Sequence, residues 1–412
     1  MSASVAVTSS SQPPTTPALS TDRRRPRYDA GLVWATLFTL ANAIAFVIIR
    51  PDVNDLVAAR ARASAAANDV GLTYWFDWFG GGSTPGNYSV VTPSLSALVG
   101  TELLGAIAAV AITILGSIAL RRTPRPTAGT VVVALGATIN MWSGRIPFLL
   151  GTAIALGAVI ALLHRRRTAT VVLTVVSVLA SPVSGALLVI AASGTFLTTR
   201  TRSWRPIIAW AAGAVLASLL TVAVIFGAPG PQPFSTPLAL EVLAGLVLLW
   251  FARPPDHIRT TVVVSFLGVI ALYAIPNGMG SNVTRLVWFV LPAMVIATSR
   301  RRARVGALLV AAVVLAGAAG TATDLRNAVR PVSSVAFYTP LANRLDKIEN
   351  LENYRVEVVN HGAHAAYDAL LDHAMLARGW ETQEDTALNE SLLQDPLSPV
   401  TYKVWLDNNA VG

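Results

Sequence analysis

The side chains best placed to move a proton come early in the chain. Asp52 and Asp55 follow an apolar run at once, and Asp77 sits in the aromatic string YWFDWF. A carboxylate beside a bound hydroxyl can act as a general base or share a metal ion. Trp75 and Trp78 flank Asp77, and Gly80 to Gly82 follow it. Rings of this kind stack on sugars, and glycines let a backbone approach a ligand closely. The plainer reading of the same rings is an aromatic belt at headgroup level. Asp52 and Asp55 also suit the start of a helix, because Val53, Leu56, Val57 and Ala61 recur at helical spacing. There they would cap the helix and oppose its dipole.

Two arginines stand apart from the others: Arg145 in WSGRIP and Arg285 in NGMGSNVTRL. A guanidinium grips phosphate oxygens in pairs, or else its side chain reaches to lipid headgroups. Glu102 and Glu241 are substrate contacts in this reading, or plain ion-pair partners of those arginines. Tyr88 and Asn282 add polar groups beside the same strings. His361, His364 and His373 lack the spacing of a zinc site. The chain has no cysteine, no phosphate-binding loop and no nucleophile elbow. No metal ligands are identifiable.

These residues are carried by a lipid-soluble chain. Of 412 residues, 53% are hydrophobic and 13% charged, with a mean hydropathy of +0.57, far from soluble composition. The net charge of +9 does not indicate nucleic-acid binding, because the basic residues punctuate apolar runs instead of lining one face. They gather at Arg23 to Arg27, Arg121 to Arg125, His164 to Arg167, Arg200 to Arg205, Arg253 to Arg259 and Arg300 to Arg304. Between successive clusters lies apolar sequence for two crossings, and the positive-inside rule puts every cluster in the cytoplasm.

The fold expected is an all-α polytopic transmembrane bundle of about eleven helices in the cell membrane, surrounded by membrane lipids, with its N-terminus inside and its C-terminus outside. The helices fall at 30–49, 92–120, 128–142, 146–163, 168–181, 183–198, 206–226, 238–252, 261–275, 286–299 and 305–322. Residues 1–29 form a polar tail, and 30–322 form the transmembrane domain with a large outer loop at 50–91. An interfacial amphipathic helix opens that loop. Residues 323–412 make a small extracytoplasmic α+β module, with a strand at Tyr354 to Val359 and a helix from His364 to Met375.

The order of a first helix, a large outer loop with an acidic opening, paired short helices and an outer C-terminal module resembles the GT-C superfamily of polyprenyl-phosphate-sugar-dependent membrane glycosyltransferases. More closely, YSVVTPSLSALVG, GRIPFLLG, ASPVSG, SNVTRL and ARGWETQED resemble a set of uncharacterised actinobacterial membrane proteins. The GT-C resemblance implies sugar transfer on the outer face from a lipid-phosphate donor to an envelope acceptor. It implies a first-loop Asp, among Asp52, Asp55 and Asp77, as base or divalent-metal partner, with Arg145 and Arg285 on the departing phosphate. The rival class is a non-catalytic scaffold, transporter or lipid-handling protein.

Overall fold

The computed structural model describes residues 30–70, 86, 88–198, 204–227, 230–299, 303–359, 363–393 and 397–412. Asp77, Trp75, Trp78 and His361 lie outside these residues. The protein is mostly helical, and among the described residues seven helices are long and apolar enough to cross a membrane. It is a multi-pass membrane protein.

The first long helix, α1 (Ala30–Ile49), leads through Arg50 into α2 (Asn54–Ala67). A single helix over 92–120 would be about 44 Å long, against about 30 Å of hydrocarbon. The chain resolves this by breaking at Gly100, with φ of 91°, into α3 (Thr92–Val99) and α4 (Thr101–Leu120). Then follow α5 (Pro126–Trp142), α6 (Ile146–Leu163), α7 (Arg167–Ala180), α8 (Pro182–Thr198), α9 (Arg205–Phe226), α10 (Thr236–Phe251) and α11 (Asp256–Ala274). The next apolar segment is irregular: a 3-10 turn at Gly280–Val283, a π-turn at Leu286–Val290, and α12 (Leu291–Thr298). Pro292 cannot donate a backbone hydrogen bond, so the ladder is interrupted there. Helix α13 (Ala303–Ala328) runs well past the expected end near residue 322.

Two hydrophobic cores share the bundle. One joins α1, α2, α4, α5 and α6 around Phe46, Leu56, Met141 and Leu149. The other joins α10, α11, α12 and α13 around Leu246, Leu286 and Val295. Loop contacts define two ends. At the basic end, the Arg125 N–H donates to the Ala297 carbonyl at 2.9 Å. At the opposite end, the Val90 N–H donates to the Leu179 carbonyl, and Ser89 and Thr92 hydroxyls donate to Ala180.

The C-terminal residues form a small module on that opposite end. Helices α14 (Val335–Leu345) and α15 (Ala365–Leu370) enclose Tyr338, Tyr367 and Leu370. The expected strand is reduced to β1 (Arg355–Val356), paired in parallel with β2 (Met375–Leu376), and the expected helix to six residues. Arg355 also bridges to Val411, so the last residues close against the first strand. Helices α16 (Thr382–Leu388), α17 (Glu390–Leu393) and α18 (Pro399–Asn408) complete it.

Helix α2 is the joint between bundle and module. Residues on all its faces are buried, including Leu56, Ala58, Ala61 and Arg62, so it is enclosed protein structure instead of the interfacial helix expected. Below it are α4 and α6, beside it α3, and above it α15. Leu371 and Trp380 of the module rest on Ala58 and Ala61.

A charged network fixes α2 to the bundle. Arg60 donates to Glu102 at 2.7 Å, to Asp52 at 2.9 Å and to the Arg50 carbonyl at 3.0 Å. Arg50 donates to the same Glu102 oxygen at 2.9 Å. Glu102 therefore pairs with Arg50 and Arg60, and not with Arg145 or Arg285. Its side chain is 9% exposed, so neutralising it weakens two charge-assisted bonds at once. Glu102→Gln is expected to cost about 1–3 kcal/mol, read as a lower thermal midpoint of the detergent-solubilised protein.

Candidate functional site

The site is assembled from segments far apart in sequence, all meeting at the first turns of α2. Gly144 makes the closest approach. It turns the chain between α5 and α6 with φ of 74°, and a Cβ there would fall 2.5 Å from the Leu56 backbone nitrogen. This contact sets the next residue, Arg145, beside Asp55. Their nearest charged atoms are 3.7 Å apart, an ion pair without hydrogen-bond geometry. Arg145 also donates to the Asn140 side chain at 3.2 Å.

Arg285 enters from the irregular segment. Its guanidinium lies 4.9 Å from the Phe148 ring centre, on the first turn of α6. It is within electrostatic reach of Arg145, Tyr88 and Asp55. Asp324, on the extended end of α13, lies beside Ser143 and within reach of Arg145 and Asp55. The extra turns of α13 are what bring it there.

Arg62 closes the other side. It stacks 4.6 Å over the Tyr88 ring, and burial lowers its pKa to about 10, opposed by Tyr88 and Glu381. It stays a cation at neutral pH. Tyr88 is therefore a platform for Arg62. From the module, Glu381 reaches toward Arg62, and the His364 ring lies 5.0 Å from the Trp380 ring, tilted by 59°. The His364 backbone N–H donates to the Asn54 side chain at 3.4 Å, and burial lowers the pKa of its imidazole.

The two early carboxylates have separate environments. Asp52 is bonded by Arg60. Asp55 accepts no hydrogen bond among the described residues, and its side chain is 36% exposed. Neither caps α2 through its side chain; the N-cap residue is Val53. Asp55 thus combines an accessible carboxylate, a nearby guanidinium and a second guanidinium within reach.

Other expected site residues are placed differently. Glu241 is exposed on α10 and forms no ion pair among the described residues. Asn282 lies in the 3-10 turn before Arg285, where its backbone N–H donates to the Met279 carbonyl. Among the described residues no group of three His, Asp or Glu side chains could hold a metal ion. Arg62, Asp324 and Glu381 are the members that sequence reasoning missed. Arg62 had a partial signal, a second arginine two residues after Arg60 in an alanine-rich helix. Asp324 and Glu381 had none, since only the folded chain brings them to α2.

The string ARGWETQED serves two purposes. Arg378 donates to Asp385 at 3.0 Å and lies 3.6 Å from Glu357, while Asp385 accepts from Asn389, which in turn accepts from Trp405. That network ties β1, α16 and α18 together. Between its two charged members, Trp380 and Glu381 face α2.

Adding a Cβ at Gly144 meets backbone, which cannot swing away. Gly144→Ala is expected to lower stability by about 2 kcal/mol, from the positive φ and from overpacking, seen as a reduced thermal midpoint.

Glu381 yields a pH prediction. Burial pushes its carboxyl up to about 7 against the pull of Arg62, with Glu384 and Asp55 adding repulsion. Released from the fold it would ionise near its ordinary value of 4.5. The folded state therefore holds the proton more tightly, so stability is highest below that value and falls as pH rises toward about 7. Glu357 is raised the same way, by burial, to about 7 and adds to the slope. The thermal midpoint is expected to drop between pH 5 and pH 7.5, and Glu381→Gln to flatten part of that drop.

No family model, no curated protein and no solved structure matches this chain, so the site is read from its own geometry.

Proposed function

We propose that the protein is a GT-C-like glycosyltransferase of the cell membrane, moving a sugar from a polyprenyl-phosphate donor to an acceptor on the outer face. The observation that carries this reading is the meeting of Asp55, Arg145 and Arg285 at one end of the bundle. The basic loops lie at the other end, so the positive-inside rule directs the site outward. An inside N-terminus and an outside module are part of this proposal, and rest on the loop charges.

In this mechanism Arg145 and Arg285 hold the lipid-linked phosphate, whose oxygens gain negative charge as the bond to the sugar breaks. Asp55 takes the proton from the acceptor hydroxyl as its oxygen attacks the sugar carbon. The phosphate leaves with the bonding electron pair. Asp52 has a structural part, because Arg60 already occupies it.

The test separates the two carboxylates. Asp55→Asn is expected to reduce transfer by about 10²-fold or more, on the scale of losing a general base. Asp52→Asn is expected to leave transfer within a few-fold of wild type while lowering the thermal midpoint. Arg145→Gln and Arg285→Gln are expected to weaken retention of a polyprenyl phosphate. Glycolipid profiles of cells carrying each variant give the readout. An unchanged profile for Asp55→Asn sinks the proposal.

A further inference from the structure

On the far side of the bundle, toward the basic end, an open groove of about 310 Å³ runs between α10 and α11. Its walls include Leu246, Val247, Trp250, Val263 and Phe266, all hydrocarbon or aromatic. Phe251 and Leu267 on its rim are 63% and 60% exposed, so it opens onto the bundle surface and hence onto lipid.

One lining residue, Trp250, carries a positive charge on its ring. Arg259, near the start of α11, places its guanidinium 4.2 Å from the Trp250 ring centre. Its Nε is shut away from solvent and has no hydrogen-bond partner among the described residues. Asp256, three residues earlier, forms no ion pair with it among those residues. The chain turns back just before it, where the Arg253 backbone N–H donates to the Trp250 carbonyl at 3.1 Å.

A buried donor without an acceptor beside an apolar channel fits an amphiphile with a negative head. The stack on Trp250 holds the guanidinium next to a groove wall, and the exposed walls offer contact to a hydrocarbon chain. A zwitterionic lipid carries its own ammonium to offset the phosphate, whereas an anionic one brings a net charge that Arg259 complements. We infer that this groove holds an acyl chain of an anionic phospholipid of the surrounding bilayer, with its phosphate on Arg259. The location matches the basic end, where the anionic leaflet lies under the positive-inside rule. The site is separate from the Asp55 cluster and does not depend on its chemistry.

Native mass spectrometry of the full chain, released from detergent with phosphatidylglycerol or phosphatidylcholine of identical acyl chains, tests this. Wild type is expected to retain the anionic lipid about fivefold better, the weight of one basic residue at a membrane surface. Arg259→Gln should bring the two lipids level, and Val263→Trp, which fills the groove with Arg259 intact, should lower retention of both. Equal retention by the wild type, or an undiminished preference in Arg259→Gln, overturns the assignment. If Arg259→Gln does not fold, Val263→Trp decides alone: reduced phosphatidylglycerol retention supports the site, and unchanged retention overturns it.

Discussion

Arg60 bonds three acceptors at once: the carboxylates of Asp52 and Glu102 and the carbonyl of Arg50. A guanidinium offers its donors in a fixed planar fork, so these three positions are held in one plane at the mouth of α1 and α4. That plane sets where α2 begins. Because α2 carries Asp55 and Arg62, and receives Trp380 and Leu371 from the C-terminal module, most of the end of the molecule opposite the basic loops inherits its geometry from this fork. Gly144 then sets the distance, letting the α5–α6 bend touch the Leu56 backbone. One contact is attractive and the other steric. Together they leave α2 little freedom to slide or lift.

Much of the bundle was legible from sequence because lipid simplifies the problem. Every backbone group in hydrocarbon must bond within its own segment, so apolar length and loop charge suffice to find helices. The observed spans of α1, α6 and α8 differ by at most a residue or so from those expected. The break at Gly100 was hidden, since a single glycine before Thr101 and Glu102 need not end a helix, and the excess length is the main hint of it. The α13 extension was hidden for the opposite reason. Residues beyond Thr323 turn polar, which reads as departure from the membrane, yet a helix can continue into water when protein packs against it.

The site was half legible. Arg145 and Arg285 stood out as charges where apolar sequence and outer turns should not need them, and Asp55 as one of several carboxylates. Choosing Asp55 over Asp52 was not possible from spacing, because the choice depends on Arg60, eight residues from one carboxylate and five from the other. Either could have been the bonded one. Asp77, Trp75 and Trp78 remain outside the described residues. The strings YSVVTPSLSALVG, GRIPFLLG, ASPVSG, SNVTRL and ARGWETQED look unrelated along the chain, and four of them meet at α2 through Tyr88, Gly144, Arg285 and Glu381. The fifth, ASPVSG, supports the first through the Ala180 carbonyl.

The charge count at that meeting point constrains what can bind there. Arg62, Arg145 and Arg285 face Asp55, Asp324 and Glu381, three guanidinium groups to three carboxyls. Uncompensated charge in such a place would be costly, and the carboxyl groups that are ionised remove part of that cost before any ligand arrives. An anion that enters must therefore compete with carboxylates already present, and gains only what its contacts exceed theirs by. Glu381 lessens the competition, since a carboxyl that keeps its proton to about pH 7 offers no negative charge below it. Asp55 is held to Arg145 only across 3.7 Å, without a hydrogen bond. Both features leave the guanidinium groups weakly committed, which is the condition an anion site must meet to release its ligand as well as hold it.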